Sequence, residues 1–305
     1  MLTRTVRKYK EMKGVTISEI CTLSGVNRQR YYRMKWSENR KMEKAEKVVG
    51  LVSGVRRTMP RVGGRKLQVL LKSELEPLGV GRDTLFGILR ANHMLVAPYR
   101  SYHTTTNSHH RFHKHKNLIA GMTVTRPEQV WVSDITYIGN RTNNMYLSLI
   151  TDAYSKKIVG YNLSDSLNTE GPILALKMAQ SNRMYKTAAL IHHSDRGIQY
   201  CSDSYQKLLN KYRITPSMTE SYDPYANAIA ERVNGILKQE FSLEKINQPL
   251  SIMRKVVKES VDIYNGIRPH YSCNYLTPNW VHTHGGIIVK QYKNKKSPLK
   301  QISGD

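Results

Sequence analysis

Residues 130–138 read Val130-Trp131-Val132-Ser133-Asp134-Ile135-Thr136-Tyr137-Ile138, a run rich in β-branched and aromatic residues. Apolar and polar side chains alternate through it, which is the period of a strand with one buried face. A turn-rich segment follows at 139–144, and residues 145–152 and 157–163 have the same strand-like composition. We therefore predict three strands in an antiparallel meander.

Helical and extended segments alternate after this meander. We predict a helix over 171–182, a strand over 188–193, a helix over 204–212, a strand over 214–218, and a long helix from Pro224 with Asp223 as its N-cap. Three antiparallel strands followed by alternating helices and strands is the ribonuclease-H-like order. The predicted fold class is α/β, with a mixed five-stranded sheet and flanking helices over residues 128–245.

The N-terminal part is predicted to be all-α, beginning with a helix-turn-helix within residues 1–40. Thr16 and Glu19 have capping-box spacing, and Gly25 supplies the turn. Four polar residues open the second helix, where a recognition helix meets bases and phosphates: Asn27, Arg28, Gln29 and Arg30. DNA contact is favoured over an ordinary basic helical hairpin because the surrounding residues are strongly basic.

Four further segments complete the predicted organisation. Residues 41–99 form a second helical unit, itself helix-turn-helix-like; 100–127 form a basic, histidine-rich linker; 246–285 form a C-terminal helical extension; and 286–305 form a basic tail. The histidines of the linker have no cysteine near them to complete a zinc module. A solvated linker is therefore favoured over a zinc site.

The charge of the chain points to a polyanionic partner. Its 305 residues include 48 basic and 23 acidic ones, for a net charge of +25. Residues 1–127 hold 26 of the basic and 8 of the acidic residues, so the N-terminal part is the more basic. No apolar run approaches the roughly 18 residues that a membrane span needs, and no secretory signal is evident. We expect a cytoplasmic, nucleic-acid-binding protein without a membrane partner.

Three carboxylates stand out in this arrangement: Asp134 on a strand, Asp195 at a strand end and Glu231 on a helix. Sixty residues separate the first two, and thirty-five separate the second and third. A fold that brought them together would form an anionic cluster suited to divalent metal ions and to phosphoryl transfer on nucleic acid. A lone glutamate on a helix is ordinarily a solvated surface residue, so Glu231 gains weight only with its two partners.

Four runs of sequence resemble the second-reading-frame transposases of bacterial insertion sequences, the Asp-Asp-Glu class of the retroviral integrase superfamily. The runs are 131–137, 193–200, 217–231 and 264–270. The resemblance extends over nearly the whole chain and is most specific over residues 128–280. One departure is Cys273, which stands where the family usually has a leucine.

The resemblance implies an enzyme that cleaves the ends of a DNA element and joins the freed 3′ hydroxyl to another strand. It places the acidic triad on Asp134, Asp195 and Glu231, which would bind two Mg²⁺ or Mn²⁺ ions. The implied partners are double-stranded DNA, further copies of the chain in a homo-oligomer, and a transposase protein from the upstream reading frame.

Several neighbouring residues are weaker candidates. Lys238 is predicted to reach substrate phosphate from the polar face of the Glu231 helix, and the resemblance suggests DNA contacts for Arg268 and His270. Four residues are candidates to line the site: His193, Arg196, Asn227 and Asn234. For Asp152, hydrogen bonding or a surface turn is favoured over metal binding.

Two other functions compete with the transposase. One is a transposase-derived, sequence-specific DNA-binding regulator without catalysis, which the helix-turn-helix and the basic N-terminal part would support. The other is a ribonuclease-H-like nuclease that only hydrolyses, because one fold hosts different activities.

Overall fold

The computed structural model describes residues 16–97, 114–140, 143–219 and 228–286. Contacts divide the chain into two units, of which the first comprises Met1–Arg57 and Gly63–Val96 and the second comprises Thr58–Val62 and Ala97–Asp305. Among the described residues, none of the helices combines the length and the apolar composition that a bilayer crossing requires.

The described part of the first unit is helical. Its helices are α1 (Ile17–Leu23), α2 (Arg28–Thr58), α3 (Gly64–Leu70), α4 (Lys72–Leu75) and α5 (Arg82–Ala91). The capping box at Thr16 and Glu19 is present, and Gly25 adopts a φ of 62° between α1 and α2. The predicted helix-turn-helix is therefore formed, with Ile20, Cys21 and Tyr31 as its small core.

Helix α2 is longer than the sequence suggested. It runs for 31 residues without interruption, so the predicted domain boundary between residues 40 and 41 lies inside a helix. Its second half packs into a core with the later helices, in which Val48, Val52, Leu67, Leu85 and Leu89 are fully buried. The helix continues through the boundary because residues 28–58 contain no proline, and their two glycines lie within the packed half.

The second unit contains the predicted mixed five-stranded sheet. Its strands are β1 (Val130–Asn140), β2 (Asn143–Asp152), β3 (Ile158–Ser164), β4 (Ile191–Ser194) and β5 (Thr215–Met218). They lie in the order β3-β2-β1-β4-β5, with β1, β2 and β3 antiparallel and β1, β4 and β5 parallel. The sheet and its strand directions confirm the predicted fold class.

Helices and two 3₁₀ turns flank this sheet. They are α6 (Glu170–Ser181), α7 (Ile198–Cys201), α8 (Asp203–Lys211), α9 (Ala228–Gln239), a turn at Leu243–Lys245, α10 (Leu250–Gly266), a turn at Tyr271–Cys273 and α11 (Pro278–His284). Trp131, Ile150 and Met218 pack with α6 and α8 on one face of the sheet. Val132 packs with Ala230 of α9 on the other face, which is also the face of Asp134.

Strand β4 begins three residues later than predicted. The guanidinium groups of Arg126 and Arg183 donate hydrogen bonds to the carbonyl groups of Ala189 and Ala188. Side chains therefore satisfy these carbonyl groups in place of a neighbouring strand.

The predicted linker requires a correction. Its histidines at 109, 110 and 113 lie outside the described residues, but residues 114–127 are not a solvated connection. Ile119, Met122 and Val124 pack against the core that contains Val132, and the amide of Leu118 donates to the Ser217 hydroxyl at 2.9 Å. These apolar residues, spaced two or three apart, bury against the face that carries Asp134.

Candidate active site

Asp134 and Asp195 occupy equivalent positions on neighbouring strands. Strands β1 and β4 run parallel with Ser133 paired to Ser194, and each aspartate directly follows its serine. Because side chains alternate along a strand, the two aspartates lie on the same face of the sheet. Their charges interact, and this interaction contributes to a raised pKa at Asp134.

The Asp134 carboxyl group is held by two donors. The amide of Ile135 donates to Oδ1 at 2.9 Å, and Nδ2 of Asn234 donates to Oδ2 at 2.7 Å. Burial, followed by the charge of Asp195, raises the pKa of Asp134 to about 7, and Glu231 adds to the increase. The two hydrogen bonds oppose this shift because they favour the ionised form.

Helix α9 lies across the same face and carries Glu231. Its buried side chains include Ala230, Val233, Ile236 and Leu237. Glu231 is exposed in the first turn of the described helix, and partial burial raises its pKa. The predicted cap Asp223 and the candidate Asn227 lie outside the described residues.

Asn234 and Lys238 follow Glu231 on this helix. Asn234 is only 4 % exposed, and its Oδ1 atom is buried with no hydrogen-bond partner among the described residues. Lys238 is half-buried, which lowers its pKa, while Glu244 and Asp134 act in the opposite direction. The amide of Asn234 therefore supports Asp134, and Lys238 is close enough to interact with the same carboxylate.

A tight turn holds Asp195. The amide of Gly197 donates to Oδ1 of Asp195 at 3.0 Å. A Cβ atom at residue 197 would lie only 3.0 Å from that same oxygen, which is tighter than an ordinary van der Waals contact. Glycine thus allows the backbone to approach the carboxylate, and Arg196 lies half-buried within this turn.

The three carboxylates are neighbours but do not form a ready-made cage. Within the described ranges, no group of three His, Cys, Asp or Glu side chains is arranged to hold a metal ion. The donor chemistry nevertheless fits a hard divalent cation, because carboxylate and amide oxygens are the ligands that Mg²⁺ accepts. Burial is the main cause of the raised pKa of Asp134, and the charges of Asp195 and Glu231 add to it; a bound cation would favour the ionised form.

The two histidines before Asp195 point to opposite faces of the sheet. His193 shares the face of Asp134 but is fully buried, with Nδ1 2.9 Å from the hydroxyl of Ser217. His192 lies 2.7 Å from the Ser133 hydroxyl and 2.9 Å from the Tyr205 hydroxyl on the other face. Burial lowers the pKa of His192 to about 3, so it remains neutral.

Asp152 belongs to a buried network that the sequence did not reveal. It accepts hydrogen bonds from the amides of Glu128 and Ser155, each at 2.7 Å, and is fully buried. Glu128 in turn lies 3.3 Å from Nε2 of His282 on α11. Hydrogen bonding, which was favoured over metal binding for Asp152, is what the structure shows. Glu128 and His282 had no local signal, because they meet from 154 residues apart.

Arg268, which was predicted to contact DNA, makes a structural contact instead. Arg268 is 3 % exposed and forms a two-pronged ion pair with Glu240, at 2.7 and 3.0 Å. Asn265 uses both ends of its amide on the backbone of Ile158, each at 2.9 Å, and so attaches α10 to the start of β3. The guanidinium group of Arg268 already has a buried partner and is not available to a DNA backbone. His270 is half-buried, with Nδ1 2.9 Å from the Ser272 hydroxyl, and its DNA contact stays a prediction.

The predicted DNA-binding residues of the first unit are accessible. The side chains of Asn27, Arg28, Gln29 and Arg30 are all exposed. Oδ1 of Asn27 accepts a hydrogen bond from the amide of Gln29 at 2.8 Å, so Asn27 caps the start of α2. This exposure is compatible with a recognition helix, and the DNA contacts of these four residues stay a prediction.

Comparison with known proteins identifies an integrase core domain in this chain. Two family models, both described as the integrase core domain, match residues 124–224 and 212–278. The catalytic core of HTLV-2 integrase, solved in complex with magnesium, is 19 % identical with a TM-score of 0.42, covering 52 % of this chain and 97 % of that one.

Closer sequence relatives come from insertion elements. The uncharacterized 31 kDa protein of insertion element IS600 from Shigella sonnei is 31 % identical over 268 residues, covering 85 % of this chain and 96 % of that protein. Transposase InsF of insertion sequence IS3A from Escherichia coli K12 is 28 % identical, covering 78 % of this chain and 79 % of that protein. With its integrase core domain, the chain belongs to the IS3 family of insertion-sequence transposases.

Proposed function

We propose that this transposase cleaves the ends of its insertion sequence and joins them to other DNA, using Asp134, Asp195 and Glu231 as metal ligands. The observation that carries the proposal is geometric. Ser133 pairs with Ser194 on the parallel strands β1 and β4, and Asp134 and Asp195 directly follow these serines. Asn234, one helical turn after Glu231 on α9, donates a hydrogen bond to Asp134 at 2.7 Å. Acidic groups from β1, the end of β4 and α9 thus share one face of the sheet, where the charges of Asp195 and Glu231 act on Asp134. Such mutual repulsion is typical of a cation-binding site.

The chain's own residues position the reacting groups. Asp134 and Asp195, fixed by the parallel pairing of β1 and β4, would hold the ions, and Glu231 would complete the ligand set from α9. When bound, a pair of Mg²⁺ or Mn²⁺ ions activates the attacking oxygen and stabilises the leaving oxygen of an in-line displacement. Asn234 keeps the Asp134 carboxylate oriented through its 2.7 Å hydrogen bond.

The proposed reaction has two displacements at phosphorus. Water attacks the phosphodiester at the end of the element, which frees a 3′ hydroxyl. This hydroxyl then attacks a second phosphodiester, so that one P–O bond forms as another breaks and the new leaving group is again a 3′ hydroxyl. Lys238 would neutralise charge on the phosphate from its place beside Asp134.

Duplex DNA is the proposed partner, with the exposed residues Asn27, Arg28, Gln29 and Arg30 as the reading end of α2. Two element ends must be brought together for joining, so we also propose that several copies of the chain act as a homo-oligomer, with an upstream-frame protein as a further partner.

The test incubates labelled element ends and a target plasmid with Mg²⁺. Wild-type protein should yield both nicked ends and joined products, and Asp134→Asn, Asp195→Asn and Glu231→Gln should lose both while DNA binding is retained. Glu259→Gln is the matched control, because Glu259 is exposed on α10.

The other outcomes point to the competing functions. Nicks without joined products would indicate a nuclease, and binding without cleavage by the wild-type protein would indicate a regulator. Equal activity of Asp134→Asn and wild-type protein would exclude the proposed ligand role.

A further inference from the structure

Two aromatic side chains stand exposed on α2, beyond the predicted reading residues. Trp36 is 65 % exposed and Tyr32 is 47 % exposed. They are four residues apart, and Arg33 and Arg40 lie beside them on the same side of the helix. We call Tyr32, Arg33, Trp36 and Arg40 the aromatic-basic face.

Both rings are held in position. Tyr32 meets the ring of Tyr31 edge-on, with centroids 5.3 Å apart, and Tyr31 is buried in the helix-turn-helix core with Ile20 and Cys21. The guanidinium group of Arg40 lies 5.4 Å from the centre of the Trp36 ring. A partner would therefore meet aromatic groups that lose little conformational freedom on binding.

The described residues of the first unit leave the aromatic-basic face exposed. Between Tyr31 and Val48, none of the side chains of α2 is buried. Single exposed apolar residues are ordinary on protein surfaces. Two large rings side by side, flanked by arginines on an otherwise polar helix, are instead the composition of an interaction surface.

Charge identifies the class of partner. Residues 28–47 include eight basic and three acidic residues. The acid nearest to Trp36 in sequence is Glu38, which lies on the opposite side of the helix, about 200° around its axis. A second copy of this face would bring like charges together, whereas an anionic polymer would neutralise them.

The geometry of α2 indicates which part of the DNA the aromatic-basic face would contact. With a rise of about 1.5 Å per residue, Trp36 lies about 13 Å along α2 from Asn27. The major groove is about 12 Å wide, so a helix that enters it with residues 27–30 brings residue 36 to the groove's wall.

We propose that the aromatic-basic face binds the sugar–phosphate backbone of duplex DNA beside the groove read by the start of α2. Tyr32 and Trp36 pack against deoxyribose rings, and Arg33 and Arg40 contact the adjoining phosphates. This contact rests on the proposed function, because it requires that the protein bind duplex DNA, and it adds affinity that does not depend on sequence.

The experiment measures the affinity of the full chain for an element-end duplex and for a duplex of unrelated sequence, over a range of salt concentrations. Trp36→Ala should weaken binding to both duplexes by about tenfold, with the salt dependence unchanged, because the lost contact is apolar. Arg33→Gln and Arg40→Gln should each lower the slope of log affinity against log salt by about one. Asn27→Ala should weaken binding to the element end alone.

Met42→Ala is the matched control. Met42 is 59 % exposed on the same helix but lies on a different side from Trp36, and its replacement should change neither affinity nor slope. Hydroxyl-radical footprinting provides an independent measurement, because the radical attacks deoxyribose. Wild-type protein should protect sugars beside the groove, and Trp36→Ala should lose that protection.

Three results would overturn the inference. Equal affinities of Trp36→Ala and Met42→Ala would show that the face does not touch DNA, while the proposed function would stand. Loss of self-association with unchanged DNA affinity would identify a second copy as the partner. If wild-type protein bound no duplex, the inference and the proposed function would both fail.

Discussion

Asp134 is the residue whose chemistry depends most on its surroundings. Burial and the charges of Asp195 and Glu231 raise its pKa to about 7, so near neutral pH it exchanges readily between its two forms. Only the ionised carboxylate is a good metal ligand. In the proposed site, proton and metal would therefore compete for Asp134.

This competition predicts a pH dependence of metal binding. As the pH falls below about 7, Asp134 takes up a proton, and the affinity for Mg²⁺ should fall by up to about tenfold per pH unit. Calorimetric titration of the protein with MgCl₂ between pH 5.5 and 8.5 measures this. Asp134→Asn, which has no proton to exchange, should bind weakly at every pH. An affinity that is constant for wild-type protein from pH 6 to 7.5 would contradict the assignment.

A second prediction concerns Asn234, whose amide holds the same carboxylate at 2.7 Å. Asn234→Ala should lower Mg²⁺ affinity and strand transfer by about 10- to 100-fold, the usual effect of removing a group that orients a metal ligand. Gln239→Ala, at the end of the same helix, is the control. If both variants matched wild-type protein in Mg²⁺ affinity, Asn234 would have no positioning role.

At the scale of the elements, local patterns predicted the strands well and the supports of the site poorly. The alternation in 130–138 is a property of neighbouring residues, and β1 formed where it predicted. The tie between Asn265 and Ile158 joins residues 107 apart, and the pair Arg268–Glu240 joins residues 28 apart. Contacts between residues so far apart leave no periodic pattern in the sequence. Arg268 was therefore predicted to contact DNA, although it is buried against Glu240.

Helix α6 and strand β3 make a close approach that depends on glycine. A Cβ atom at Gly160 would overlap the carbonyl oxygen of Ala175. Gly160→Ala should therefore destabilise the protein by several kcal/mol, since backbone atoms must move. Gly87→Ala in α5 is the contrasting variant, because nothing lies within 4 Å of its Cβ position and alanine favours a helix by about 0.5–1 kcal/mol. Urea unfolding of the two variants separates these effects, and equal midpoints would contradict the packing described for β3.

The ion pair between Arg268 and Glu240 anchors the region after α10 to the end of α9. Arg268→Ala should reduce the free energy of unfolding by about 3–5 kcal/mol, because Glu240 would keep a charge without its partner. The exposed pair Lys258–Asp262 is the control, and Lys258→Ala should leave the free energy of unfolding nearly unchanged because solvent screens this pair. Chemical denaturation measures both. An Arg268→Ala protein with wild-type stability but a smaller salt dependence of DNA binding would restore Arg268 as a DNA contact.

On the scale of the whole molecule, the net charge of +25 suits a polyanionic partner, yet the site itself gathers negative charge. These features serve different ends of one reaction. In the proposed function, basic side chains would attract the DNA backbone, and the acidic face of the sheet would attract the cations that make its phosphorus reactive. Folding must hold the acidic groups together before DNA or cations bind, and this cost lowers the free energy of unfolding.

The cost predicts how stability depends on pH and Mg²⁺. The pKa of Asp134 is about 7 in the folded chain against an ordinary 3.8, so between these values the folded state keeps a proton that the unfolded chain has released. The contribution of this group to the free energy of unfolding therefore decreases as the pH rises from about 4 to about 7, and it is lost above that. Mg²⁺ should bind the ionised form and restore stability, so the rise in Tm that it causes should be larger at pH 8 than at pH 5.5.

The variant Asp134→Asn is the control. Without metal it should lack this pH-dependent loss of stability, and Mg²⁺ should raise its Tm little at either pH. Thermal unfolding of both proteins at pH 5.5 and pH 8, with and without Mg²⁺, measures the rise in Tm for each protein at each pH. An equal rise for wild-type protein at both pH values would show that Asp134 does not couple protons to metal.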